Sequence, residues 1–217
     1  MTKVAIWFSQ PAERPTGVPA RGDVTYTDDF NPKKPMYGAD ALWLDYNHQL
    51  MPFPPPSQEL ELPAHLFVVV KKHKEVLFDF FSLDINYKIV SRDLLIFLQA
   101  HGIKEGYETA KASIINTKGN PISTKEYFVI RIARFHDNLL DFDVDTKVES
   151  QSLPNHYLYS NIRIKPDTSQ SAFFSEKITY GESLIVSENL RKEIKNKFYA
   201  TTLLSPEEYI AIFDTSW

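Results

Sequence analysis

Ile89-Val90-Ser91-Arg92-Asp93-Leu94 is a stretch whose pattern the chain repeats as Ile185-Val186-Ser187-Glu188-Asn189-Leu190. Each copy runs from a short apolar segment through a serine and two polar residues to a leucine that opens a helical pattern. A serine at such a boundary accepts a hydrogen bond from a free N–H of the first helical turn. Asp93 and Glu188 fall in those first turns, where the helix dipole favours negative charge. The repeat therefore predicts two capped helices, over about 92–101 and 188–198. Neither serine sits in a Gly-x-Ser-x-Gly frame or beside an obvious base, so the repeat speaks of architecture and not of nucleophilic catalysis.

Leu94, Leu95, Phe97 and Leu98 give the first helix a wide apolar face, and His101-Gly102 ends it with glycine at the left-handed cap position. The second helix carries a narrow stripe of Leu190, Ile194 and Phe198, with Glu188–Lys192 and Glu193–Lys197 spaced as i,i+4 ion pairs. Ser205-Pro206-Glu207-Glu208 is a capping box that opens a last helix through Phe213.

Between these signals the chain reads as strands. Residues 3–8 alternate as a strand, and Leu66–Val70 is a buried β-branched run. Val76–Phe81 reads as a strand or the edge of a helix. Thr109–Asn116 and Glu126–Phe135 form a hairpin around Lys118-Gly119-Asn120-Pro121, the second arm apolar on both faces as an inner strand requires. Leu139–Val144 reads as a third strand, 145–160 as polar loop, and Asn161–Lys165, Ile178–Thr179 and Thr201–Leu204 as short extended pieces.

The N-terminal region differs. Ten of the fourteen prolines lie between Pro11 and Pro63, which excludes mostly regular structure there. The same region carries Tyr26, Phe30, Tyr37, Trp43 and Tyr46, too aromatic for a disordered linker. It reads as an ordered, loop-rich arm, with a short strand or turn in 38–44 and a polyproline-like spacer at 52–56. Its aromatic residues either pack on the body or offer a binding surface.

Composition narrows the function classes. The 217 residues carry a net charge of −4 and no cysteine, which disfavours non-specific nucleic-acid binding and excludes disulfides, thiolate zinc sites and cysteine nucleophiles. The N-terminal apolar run is too short for a signal peptide and no stretch reaches the length of a membrane span. A soluble, cytoplasmic protein is expected. With seven glycines, no Walker loop and no Gly-x-Gly-x-x-Gly, a phosphate-cradling loop is not expected, and no cofactor is implied.

Asp141, Asp143 and Asp145 alternate on one expected strand face. A calcium loop starting at Asp141 fails, because its sixth and twelfth positions hold Thr146 and Ser152. No metal site is assigned; the face is solvated, or Asp137, Asp141, Asp143, Asp145 and Glu149 together present an acidic patch to a basic protein partner. The alternative chemistry is a small hydrolase using His136 with a nearby carboxylate such as Asp137, and a third reading is a domain that pairs with itself.

Leu77-Phe78-Asp79-Phe80, Ile89-Val90-Ser91-Arg92, Tyr127-Phe128-Val129-Ile130 and Leu140-Asp141-Phe142-Asp143, followed by Glu149-Ser150 and later by Leu184–Leu190, occur in an order and spacing that resembles the immunity proteins of bacterial polymorphic toxin systems, in particular the DUF1629-type family. The proline-rich arm lies outside that resemblance. It implies a non-enzymatic inhibitor of a cognate antibacterial toxin, such as a type VI or contact-dependent effector, with no catalytic residues of its own. The residues and the resemblance together predict an α+β protein. Its sheet is mixed or mainly antiparallel and is packed with two repeat-related capped helices. Residues 1–63 form the arm and 64–217 the immunity-type domain.

Overall fold

The computed structural model of the protein describes residues 1–11, 13–36 and 41–213. Among them the elements run β1 (Thr2–Phe8), β2 (Val24–Thr27), β3 (His65–Val70), β4 (Phe80–Ser82), β5 (Tyr87–Ser91), α1 (Arg92–His101), β6 (Tyr107–Asn116) and β7 (Tyr127–Ile132). The order continues with β8 (Leu140–Phe142), β9 (Lys147–Glu149), β10 (Tyr157–Tyr159), β11 (Ile162–Ile164), β12 (Ala172–Phe173), β13 (Ser183–Ser187), α2 (Arg191–Lys197), β14 (Leu203–Leu204) and α3 (Pro206–Phe213). The class is α+β, as expected. The chain forms two compact units, one of 1–14, 96–104 and 135–217, the other of 15–95 and 105–134.

The unit of 15–95 and 105–134 is built on the sheet β2-β3-β6-β7-β5-β4. All its pairings are antiparallel except β3 with β6. The β6–β7 hairpin forms as its turn residues predict: Gly119, at φ +85°, donates its N–H to the Asn116 carbonyl. β7 is an inner strand, buried on both faces. The arm packs on this sheet. Trp43 and Tyr46 are buried, Tyr26 lies 6.0 Å from Trp43 and 5.2 Å from Tyr87, and Phe30 lies 6.1 Å from Phe67. Packing is thus what these aromatic residues do. The arm also contributes β2, which its prolines had masked in the sequence. Tyr37 and 38–40 lie outside the described residues; Leu42–Asp45 is a 3-10 turn.

The other unit centres on β1, in the sheet β12-β13-β1-β11-β8 with β14 also on β1. Every pairing is antiparallel. β1 is buried from Val4 to Phe8, on both faces. One face meets Leu140, Leu158, Ile162, Ile185, Tyr209 and Phe213.

Both serines of the repeat cap as expected. Leu94 N–H donates to Ser91 Oγ, and Asn189 N–H to Ser187 Oγ. The second copy opens with a 3-10 turn, Glu188–Leu190, before α2 begins. Glu188 there pairs with Arg191, one residue nearer than the expected Lys192, because the tighter turn brings the i,i+3 position alongside. The Lys197 ammonium lies over the rings of Phe97 and Phe198. The capping box closes reciprocally: Glu208 N–H donates to Ser205 Oγ, and Ser205 N–H to Glu208 Oε2. Gly102, at φ +134°, ends α1; a Cβ there would lie 2.6 Å from Gln170 Cγ.

Three further expectations about the elements fail. Residues 145–160 are not plain loop, since β9 and β10 pair within them. Ile178–Thr179 is a turn, closed by Tyr180 N–H on the Lys177 carbonyl. Val76–Phe81 is mostly irregular, with only Phe80 and Phe81 in β4.

Lys88, on β5, is fully buried. Its ammonium donates to Ser82 Oγ at 2.9 Å and to the carbonyls of Asp84 and Ile85. Burial pushes its pKa down to about 7, against a smaller opposing pull from Asp84. The unfolded chain holds that proton up to its ordinary 10.5, so between these values the unfolded state binds more protons than the native one. Stability therefore rises as pH climbs from 7 towards the onset of tyrosine ionisation near 10. Urea titrations across that window should show the rise, and Lys88→Met should flatten it.

Candidate partner-binding surface

Asp141, Asp143 and Asp145 do not share one strand face. β8 ends at Phe142, and the Asp143 carboxylate accepts the Asp145 N–H, turning the chain into a 3-10 turn at Val144–Thr146. Asp143 also accepts from Asn161 Nδ2 at 2.9 Å. Asp137 accepts from Ser175 Oγ and from Glu176 N–H. Asp141 lies on β8 opposite Arg163 of β11. Asp145 and Glu149 are exposed, and Glu149 accepts the Asn155 N–H at 2.8 Å.

His136 precedes the 3-10 turn Asp137–Leu139 and is half-buried. Among the described residues no hydrogen bond joins it to Asp137, whose carboxylate is already taken by the 175–176 segment. No group of three potential ligands is placed to hold a metal among the described residues, and no described helix is long and apolar enough to cross a membrane.

The β9–β10 hairpin offers a different surface. Its connection, 150–156, is held by Ser150 N–H on the His156 carbonyl, by Leu153 N–H on Ser150 Oγ, and by the Glu149 carboxylate on Asn155, which sits at φ +65°. Leu158 points into the core. Alternation puts Lys147, Glu149, Tyr157 and Tyr159 on the opposite face. Lys147 Nζ lies 4.8 Å from the Tyr157 ring centre, and Lys177 Nζ lies over Phe142 and Tyr159. A cavity of about 180 Å³ lies between Tyr157, Tyr159, Lys177 and Ile178. Tyr157 and Ile178 are 36% and 45% exposed. Aromatic and apolar groups framed by Lys147, Lys177 and Glu149 have the make-up of a protein contact, an apolar centre with a polar rim.

The family model described as immunity protein 43 matches residues 10–217. The chain belongs to that family. Membership in the immunity protein 43 family gives it an immunity function, with a toxin protein as the implied partner. The match takes in nearly all of the arm, in keeping with the packing of 15–63 on the sheet of its own unit. No curated protein matches the chain.

Tyr157 escaped notice because 145–160 reads as polar, and Ile178 because 178–179 reads as a short extended piece. The available signal was Tyr157-Leu158-Tyr159, an aromatic–apolar alternation facing the charged–apolar alternation Lys147-Val148-Glu149.

Proposed function

We propose that this protein neutralises a cognate antibacterial toxin by direct binding, without catalysis. The match to the immunity protein 43 family over 10–217 carries this reading. The toxin acts in the cytoplasm and comes from a polymorphic toxin system, delivered by type VI or contact-dependent secretion; the likeness to DUF1629-type proteins belongs to the same proposal. An inhibitor has to meet the toxin where damage is done, which places this protein in the cytoplasm too.

The β9–β10 face is the contact we propose. Tyr157 supplies a rigid aromatic anchor beside a small cavity; Glu149 lies directly across the hairpin from it and Asp145 is exposed in the turn that leads into β9, and both meet basic residues of the toxin. Of the five carboxylates read from the sequence, these two are the exposed ones.

Expression of the toxin domain encoded beside this gene, in a bacterial host with and without the chain, tests the proposal. The chain should restore growth. Tyr157→Ala should weaken toxin binding about 30-fold, a loss of about 2 kcal/mol. Failure of the wild-type chain to restore growth would overturn the immunity reading, and unchanged binding by Tyr157→Ala would move the contact elsewhere.

A further inference from the structure

We propose that Arg163, with Lys3 beside it, receives a carboxylate group of the toxin. This rests on the immunity reading and adds a second contact, of opposite sign to Asp145 and Glu149.

A cavity of about 490 Å³ opens beside β1 and β11, and Lys3, Arg163, Arg191, Glu188 and Glu207 line it. Three cations and two carboxylates leave one net positive charge. Two of these charges already match each other. Arg191 Nε donates to Glu188 Oε1 at 2.6 Å, and Arg191 Nη1 to the Leu203 carbonyl at 2.8 Å. Glu207 is exposed in the first turn of α3.

Arg163 is oriented and unmatched. Its Nε–H donates to Asn161 Oδ1 at 3.1 Å, and Asn161 Nδ2 donates to Asp143 Oδ2. The Asp143 N–H in turn donates to the Asn161 carbonyl at 3.1 Å. This chain holds the guanidinium from behind. Its two Nη groups have no acceptor among the described residues, and no ion pair joins it to Asp141, its neighbour across β8. On the other side its cross-strand neighbour is Lys3, exposed and also without an acceptor among the described residues.

The end of a guanidinium carries two parallel N–H groups, which match the two oxygens of a carboxylate. A single negative charge balances the lining. The second charge of a phosphate would meet Glu188 and Glu207. Ser160, in the cavity's lining, directly follows β10 in the chain. In this arrangement Asp143 is a positioning residue, acting on the partner through Asn161 and Arg163.

Calorimetry with the full chain and the toxin domain encoded beside its gene tests this. Arg163→Gln should bind about tenfold more weakly or worse with an unchanged thermal midpoint. Arg163→Lys should recover only part of the loss, because an ammonium lacks the fork. Asp141→Asn, which removes a competing carboxylate, should bind at least as tightly as the wild type. Wild-type binding with no loss in Arg163→Gln would overturn this inference and leave the immunity reading intact; no binding by the wild type would overturn both. As a check on the chemistry, an acetylated tetraglutamate peptide should shift the Arg163 Nε–H resonance more than inorganic phosphate does at equal concentration. A stronger response to phosphate would overturn the carboxylate assignment.

Discussion

Arg131→Ala should lower the stability of its unit by about 3–5 kcal/mol, the range for breaking a buried ion pair from one side. Arg131 is 1% exposed and lies on β7 directly opposite Glu108 of β6. Its Nε donates to Glu108 Oε2 at 2.8 Å, its Nη1 to the Trp43 carbonyl at 2.7 Å and its Nη2 to the Leu60 carbonyl at 2.6 Å. The guanidinium also lies 4.5 Å from the ring centre of Tyr46, and Glu108 Oε1 accepts the Leu62 N–H. One side chain thus fastens two stretches of the arm to the sheet. Its removal leaves a largely covered carboxylate and two carbonyls without their donor. Replacing the pair together, Arg131→Met with Glu108→Leu, should cost far less, because no charge is then left buried alone. Urea unfolding followed by tryptophan fluorescence reads both variants. A loss below about 1 kcal/mol for Arg131→Ala would mean the arm is held by its aromatic packing alone.

Trp7→Ala should cost the other unit a similar amount, about 3–5 kcal/mol. Trp7 is fully buried on the central strand β1. It packs 5.9 Å from Phe198, which in turn meets Phe97 edge-on at 5.4 Å, and its indole N–H donates to the Ala200 carbonyl. Ile6 and Phe8 belong to the cluster on the opposite face, so the indole is the filler of its side and a truncation there leaves a cavity. Trp7→Phe should keep most of the stability. Urea titration followed by far-ultraviolet circular dichroism measures it, and a change within about 0.5 kcal/mol for the alanine variant would show that this side of β1 can collapse around the gap.

What could be read from the sequence was local. Ser91, Ser187 and the Ser205–Glu208 box announce helix starts through bonds within four residues. The two-sided apolar pattern of β7 gave its inner place, and Gly119 its turn. What escaped depended on distant partners. Arg131 and Lys88 look like solvated positions of alternating strands, yet the acceptors that permit their burial include Trp43 and Leu60 for one and the 82–85 turn for the other. The parallel pairing of β3 with β6 and the building of each unit from separated segments leave no local mark. At the proposed contact, Asp145 and Glu149 were legible as charge. Asp143 was not legible as a turn-former, because its own side chain ended the strand expected to display it.

The most direct test of the central claim is the mass, by light scattering after size exclusion, of the species formed when the purified chain meets the toxin domain encoded beside its gene. Inhibition by direct binding predicts a one-to-one complex in which the toxin is inactive. A toxin whose victims are protected while no complex forms would contradict it, and would point instead to a protein that reverses the toxin's chemistry.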